Sequence, residues 1–151
     1  PKIAKFLTNV FPNPYTISDG KEFISQCEKE EIQKTFAIEV DGKAVGSIGI
    51  YPQEDIHCKN AEMGYWIGEN YQNKGYVTKA IEEIVEYGFK TFNINKIISK
   101  PFQLNIASHK VLEKNDFKLE AILKDNVYKN GKLQDELIFT ITREVFNDKR
   151  R

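Results

Sequence analysis

The chain is poor in sulfur and has no surplus of charge. Its two cysteines, Cys27 and Cys58, stand far apart and in no metal-ligand pattern. They are able to pair, but a core-forming domain does not require a lone disulfide, and a reduced, cytoplasmic setting is the simpler expectation. Lys plus Arg equals Asp plus Glu, at 22 each. That balance lacks the basic footprint of a general nucleic-acid binder. It also argues mildly against a strongly charged surface partner. No apolar run approaches the length of a membrane span, and "PKIAKFLTNVF" carries no apolar core of signal-peptide type. Internal repeats and low-complexity linkers are lacking. So are the P-loop ending in Gly-Lys-Ser/Thr and the dinucleotide fingerprint GxGxxG. The two histidines, His57 and His109, have no partner at metal-ligand spacing and read as surface residues. His57 is also placed to line an acceptor entrance. The first residue is Pro1, so the expectation is a sequence that begins inside a longer chain.

What is there suits one domain, 1–151, with one core: 151 residues, 40% hydrophobic and 29% charged. "FPNPYT" is a Pro-rich loop. Thr16 with Asp19 resembles a capping box and would open a helix over about 17–31. "TFAIEV" and "AVGSIGIY" alternate as strands around Asp41-Gly42, a strong hairpin signal. "AEMGYWIG" is the next strand. Val77, Ile81, Ile84, Val85, Gly88 and Phe89 then recur at helical spacing. "INKIISK" is a short strand and "NIASHKVLEKND" a second amphipathic helix. "FKLEAIL" and "KLQDELIFTIT" flank a loop tipped by Asn130-Gly131. Strand, helix, strand in the middle implies a parallel pair; the hairpins imply antiparallel neighbours. The expected architecture is a mixed α/β sheet covered by helices.

The join "ENYQNKGYVTKA" is polar and contains one glycine. A helix N-terminus offers unpaired N–H groups and a partial positive charge. Gly75 lets the backbone take positive φ and leaves room for a ligand. Together these fit an anion seat where a strand feeds a helix. An ordinary loop with a glycine for geometry is the alternative from these residues alone.

Two segments resemble a known family. "YWIGENYQNKGYVTKAIEEIVEYGF" is similar to the acyl-CoA-binding segment of the GNAT N-acetyltransferases, Q/R-x-x-G-x-G/A, filled here by Gln72, Gly75 and Val77. "NIASHKVLEKNDF" resembles the later segment of the RimJ/RimL-like branch, matched at Asn105, Ser108, Val111, Glu113, Lys114 and Phe117. "AEMGYWI" and "QDELIFTITRE" are also like that branch. Val77 replaces a usual Gly or Ala, and Asp116 a usual Gly that would take the left-handed conformation at the helix end. Asp tolerates that conformation better than most residues.

The resemblance implies the GNAT acyltransferase fold: a central, mostly antiparallel sheet with one splayed parallel pair, flanked by helices. The family's first strand has no counterpart in the sequence. It implies transfer of an acetyl group from acetyl-CoA to a primary amine (a protein N-terminus, a polyamine or another small amine) by direct attack in a ternary complex, without a metal. It implies a cofactor site of Trp66, Ile67, Gln72, Asn73, Lys74, Gly75, Tyr76, Val77, Thr78, Asn105 and Ser108. The branch often forms homodimers, though no symmetric patch is legible.

For the base, Glu62 is the first candidate: by alternation it shares a strand face with Gly64 and Trp66, away from Met63, Tyr65 and Ile67. Burial beside the indole would suit it to taking a proton. Asp135 is the rival; it is the one carboxylate on a face otherwise made by Leu133, Leu137, Phe139 and Ile141, and needs a partner there. Many family members place a Tyr one residue after the position of Val111, and here that residue is Leu112. Ser108, one turn earlier, is the substitute contact for the coenzyme sulfur. Phe11, Tyr15 and Tyr128 are loop aromatics that would flank the acceptor. A non-catalytic acyl-CoA-binding or regulatory module is the competing reading, kept open by Val77 and Leu112.

Overall fold

The computed structural model describes residues 32–101 and 103–149. The helix expected over 17–31, Cys27, Phe11 and Tyr15 lie outside the described residues. The elements are β1 (Thr35–Val40), β2 (Lys43–Pro52), β3 (Asn60–Ile67), α1 (Tyr76–Thr91), β4 (Lys96–Ser99), α2 (Ile106–Lys114), β5 (Lys118–Lys129), β6 (Lys132–Thr142) and α3 (Arg143–Lys149). The strands form one six-stranded sheet in the order β1-β2-β3-β4-β6-β5. Among the described residues only β3 and β4 are parallel, and every other neighbour pair is antiparallel. The mixed sheet inferred from strand order is therefore the observed one.

Register sorts the side chains. Gly46, Ile48 and Ile50 of β2 face Ile67, Tyr65 and Met63 of β3 on one side. That side receives α1, whose Ile81, Ile84, Val85, Gly88 and Phe89 are buried at helical spacing. Gly88 is needed for the close approach: a Cβ there would stand 2.4 Å from Ile50 Cδ1. On the other side, Ser47, Gly49 and Tyr51 lie opposite Trp66, Gly64 and Glu62.

The C-terminal end of α1 is held by a residue from the far end of the chain. Arg143 donates from Nε to the carbonyl of Ile94 (2.9 Å) and from Nη2 to those of Phe89 (2.9 Å) and Phe92 (3.2 Å). A cation here satisfies carbonyls at and just beyond the helix end and complements the negative end of its dipole. The guanidinium also sits 5.1 Å from the centre of the Phe89 ring.

Three expectations change. The loop expected after "FKLEAIL" is strand: β5 runs on to Lys129, so Tyr128 is an exposed strand residue and not a loop aromatic. The pairing of β5 with β6 skips between Leu123 and Val127, and this bulge hid the strand by breaking its alternation. His109 is half-buried, its ring 5.6 Å from that of Phe139, so it is not a surface residue; His57 is exposed as expected. Helix α3 was not foreseen because seven residues are too few for a periodic signal. Asp116 takes the left-handed conformation (φ 69°) where the family pattern has glycine. Phe117 N–H then closes back on the Leu112 carbonyl at 3.0 Å and ends the helix.

Candidate active site

The parallel strands part early. β3 and β4 pair only at Asn60, Ala61 and Glu62, against Lys96, Ile97 and Ile98. From Met63 to Ile67, β3 stays with β2. The chain after β4 stays with β6 instead: Leu137 N–H donates to Pro101 (3.0 Å) and Gln103 N–H to Asp135 (2.9 Å), each at the backbone carbonyl. Between them the sheet splays, and the freed edge of β3 presents backbone N–H and C=O groups without a strand partner.

The turn after β3 brings the chain to the head of α1. Gly68 N–H donates to the Val45 carbonyl at 2.7 Å, and a short 3-10 turn, Glu69–Tyr71, follows. Asn73 and Gly75 both have positive φ, 60° and 82°. Gly75 is the N-cap of α1, and the first helical bond runs from Lys79 N–H to its carbonyl at 3.1 Å. The N–H groups of Tyr76, Val77 and Thr78 thus have no helical acceptor. A Cβ on Gly75 would meet nothing within 4 Å. The glycine is there for its φ, and the space beside it opens on the cleft.

Helix α2 forms the other wall. Asn105 is its N-cap, with Oδ1 accepting from Ser108 N–H at 3.3 Å. Asn115, which the sequence reading passed over, donates from Nδ2 to the carbonyls of Thr78 and Val111, both at 3.1 Å. It joins the end of α2 to the first turn of α1. A second contact crosses the splay: the hydroxyls of Tyr65 and Ser108 are 2.6 Å apart. Burial pushes the Tyr65 phenol up to about 12, against the opposing pull of its bond to Ser108. Alternation shows only that Tyr65 points away from Glu62; its partner on α2 is not visible from strand spacing.

The result is a cleft of about 310 Å³. It is lined by Trp66, Ile67, Gln72, Asn73, Lys74, Gly75, Tyr76, Val77, Thr78, Asn105 and Ser108, the whole of the expected cofactor set, together with Tyr65 and residues of α2. The chemistry this offers is an anion seat at the head of α1, with Lys74, Lys110 and Lys114 around it, and a strand edge leading away from it. A larger groove, about 440 Å³, lies between β1, β2 and α1. Its charged groups, Glu39, Lys79 and Glu83, are exposed and mixed in sign, so it offers no comparable seat.

The two carboxylate candidates lie elsewhere. Glu62 is half-buried on the opposite face, at the last paired position before the splay, and makes no hydrogen bond or ion pair among the described residues. Asp135 is buried but does not line the cleft. Its Oδ1 accepts from the Asp125 backbone N–H at 2.9 Å and its Oδ2 from Lys124 Nζ at 3.1 Å. The Asp125 N–H first, then Lys124, hold its carboxyl below the usual carboxylate range. The partner that an acid on an apolar face requires is the bulge of β5. Among the described residues no cluster of His, Cys, Asp and Glu is able to hold a metal ion, and no helix is long and apolar enough to cross a membrane.

A parallel pair that splays beside a helix N-terminus marks an α/β domain with a seat for an anionic ligand. The acetyltransferase (GNAT) domain family matches residues 1–118, and the chain belongs to that family. It is an acyltransferase. Among its relatives, the uncharacterised N-acetyltransferase YnaD of Bacillus subtilis (strain 168) is 32% identical over 134 residues, 88% of this chain and 78% of that protein. Spermidine N(1)-acetyltransferase of Escherichia coli (strain K12) is 25% identical over 117 residues, 78% of this chain and 62% of that one. A solved structure of RimL, a ribosomal L7/L12 α-N-protein acetyltransferase in complex with coenzyme A, superposes with a TM-score of 0.79. It is 21% identical and covers 93% of this chain and 80% of its own, a likeness of fold.

Proposed function

We propose that the protein transfers an acetyl group from acetyl-CoA to a primary amine by direct attack in a ternary complex, in the cytoplasm. The observation that carries this reading is the placement of the splayed β3 edge beside the uncapped N–H groups of Tyr76, Val77 and Thr78. Those N–H groups seat the pyrophosphate, with Asn73, Lys74 and Gly75 shaping the approach. The edge at Trp66 and Ile67 pairs with the pantetheine amides. Gln72 steadies the turn, reaching back towards the Ile67 carbonyl at 3.5 Å, a weak contact. Asn105 and Ser108 close the far side. Holding the thioester and amine in attack geometry supplies much of the rate.

Glu62 takes the proton of the incoming ammonium through water, from the face opposite the cleft, so the amine enters across the sheet from the cofactor. Asp135 keeps the β5 bulge in shape and does not touch the reacting atoms. The acceptor is a polyamine, a protein N-terminus or another small amine; the relative named for spermidine supports the first of these.

The test is thiol release from acetyl-CoA with a panel of polyamines and of peptides with varied N-terminal residues, beside calorimetric titration with CoA. Amine-dependent thiol release supports the enzyme. CoA binding with no release for any amine supports the non-catalytic module, and no binding of CoA rejects both.

A further inference from the structure

We propose that Tyr65 is the positioning residue that aims the Ser108 hydroxyl at the leaving sulfur, and that this pair steadies the departing thiolate without protonating it in the transfer step. The inference rests on the acetyl-CoA reading above and deepens it. Tyr65 stands on β3, at one wall of the splay, and Ser108 in the first turn of α2, at the other. Their hydroxyls are 2.6 Å apart, and each side chain has this single polar partner among the described residues. Two hydroxyls bonded to each other place one proton between them and keep one over. Whichever donates, the spare O–H belongs to a residue lining the cleft. Either hydroxyl is able to donate; in this proposal Tyr65, the more acidic hydroxyl, donates to Ser108 Oγ and the serine O–H turns to the ligand. The backbone N–H of Ser108 is already met by Asn105 Oδ1, so its hydroxyl is not needed for capping. Position 112 is a leucine, buried in the core, so the helix offers no phenol there.

Acidity separates a hydrogen bond from a proton transfer. Burial holds the Tyr65 phenol at about 12, whereas a thiol ionises near 8.5. The pair is thus a weaker acid than the thiol and donates a hydrogen bond rather than a proton to the thiolate. In the transfer step the amine nitrogen bonds to the thioester carbon and the carbon–sulfur bond breaks. Sulfur keeps the electron pair. The ammonium's first proton leaves by way of Glu62 to water before attack. The second, released as the carbon–nitrogen bond forms, leaves by the same relay, and water protonates the thiolate later. Ser108 donates a hydrogen bond throughout, in the field of the α2 N-terminus. The other titratable groups of the cleft are Tyr71, Lys74, Tyr76, Lys110 and Lys114.

The test compares Tyr65→Phe, Ser108→Ala and the double variant by thiol release at pH 7.0 to 9.5, with CoA calorimetry and a thermal melt on each. Tyr65→Phe should lower kcat by roughly tenfold and leave KM for acetyl-CoA within about twofold. The double variant should be no slower than Ser108→Ala, because Tyr65 acts only through the serine. The wild-type kcat profile should not fall on its alkaline side. Ser108→Thr, which keeps a hydroxyl, should recover most of the activity lost in Ser108→Ala, and it decides the matter should Tyr65→Phe fail to fold. Wild-type kcat in Tyr65→Phe, multiplying effects in the double variant, no recovery in Ser108→Thr, or a falling alkaline limb abolished by Tyr65→Phe would each overturn the proposal. A wild type that releases no thiol with any amine overturns the acetyl-CoA reading with it.

Discussion

The side-chain amide of Asn115 donates to the backbone carbonyl of Thr78, a residue that lines the cleft, at 3.1 Å. With its second bond, to Val111, it ties the last turn of α2 to the first turn of α1. Residues of both helices line the cleft, so this tie bears on its width. Replacing Asn115 by Ala should remove two partly buried hydrogen bonds, about 1–2 kcal/mol together. The melting temperature should drop by about 2–8 °C, and CoA affinity should fall with it. Calorimetry and a thermal melt read both effects. A variant with wild-type CoA affinity would show that the clamp does not shape the seat.

The order of elements along the chain and the two main helices were legible from local signals: Asp41-Gly42 for a hairpin, the Ile81–Phe89 periodicity for α1, one glycine for the turn. The residues around the cleft were legible only through the resemblance to the GNAT segments. Contacts between distant segments were not. Asn115 reads as a polar residue at a helix end, Arg143 as a charge after the last strand, and Tyr65 as one side of an alternating strand. Each acts through a backbone carbonyl or a hydroxyl from far along the chain. Asp135 was legible as an acid that needs a partner, but the partner sits in a bulge whose broken alternation had already been read as loop.

Gly75 is at φ 82° with nothing within 4 Å of the site where a Cβ would stand. Substitution by Ala therefore costs backbone strain and no steric clash, about 1–2 kcal/mol. Relief of that strain rotates the peptides that feed the Tyr76–Thr78 N–H groups. Gly75→Ala should weaken CoA by roughly tenfold, while a Lys79→Ala change, on an exposed side chain outside the cleft, should be near neutral. Titration calorimetry distinguishes them. Equal affinities for Gly75→Ala and wild type would remove the helix head from the phosphate site.

Glu62 lies where β3 and β4 last pair, on the face opposite the Tyr65–Ser108 bridge. A base acting on an ammonium matters most where the acceptor is protonated. Glu62→Gln should therefore lower kcat by about a hundredfold near pH 7. The gap should narrow towards pH 9.5 as more of the amine arrives uncharged. KM for acetyl-CoA should hold, because the side chain does not line the cleft. An unchanged kcat across pH 6–9 would take the base assignment from Glu62.

Asp135 supplies a pH signature of the fold itself. Its carboxylate accepts from the Asp125 N–H and from Lys124, and its pKa is held below the ordinary range. A carboxyl whose pKa is depressed in the folded protein stabilises the fold above its unfolded pKa, near 3.9. That contribution is lost as pH falls through the folded value, which lies lower still. Asp135→Asn should melt below wild type at pH 7, since the amide keeps an acceptor for Asp125 but loses the charge facing Lys124. The difference should persist down to about pH 4 and then shrink as the wild-type carboxyl takes up its proton. Paired thermal melts from pH 7 to pH 2.5 read the difference directly, and thiol release at pH 7, well below the melting range, should stay near wild type. A large loss of kcat with the melt unchanged would put Asp135 back among the reacting groups.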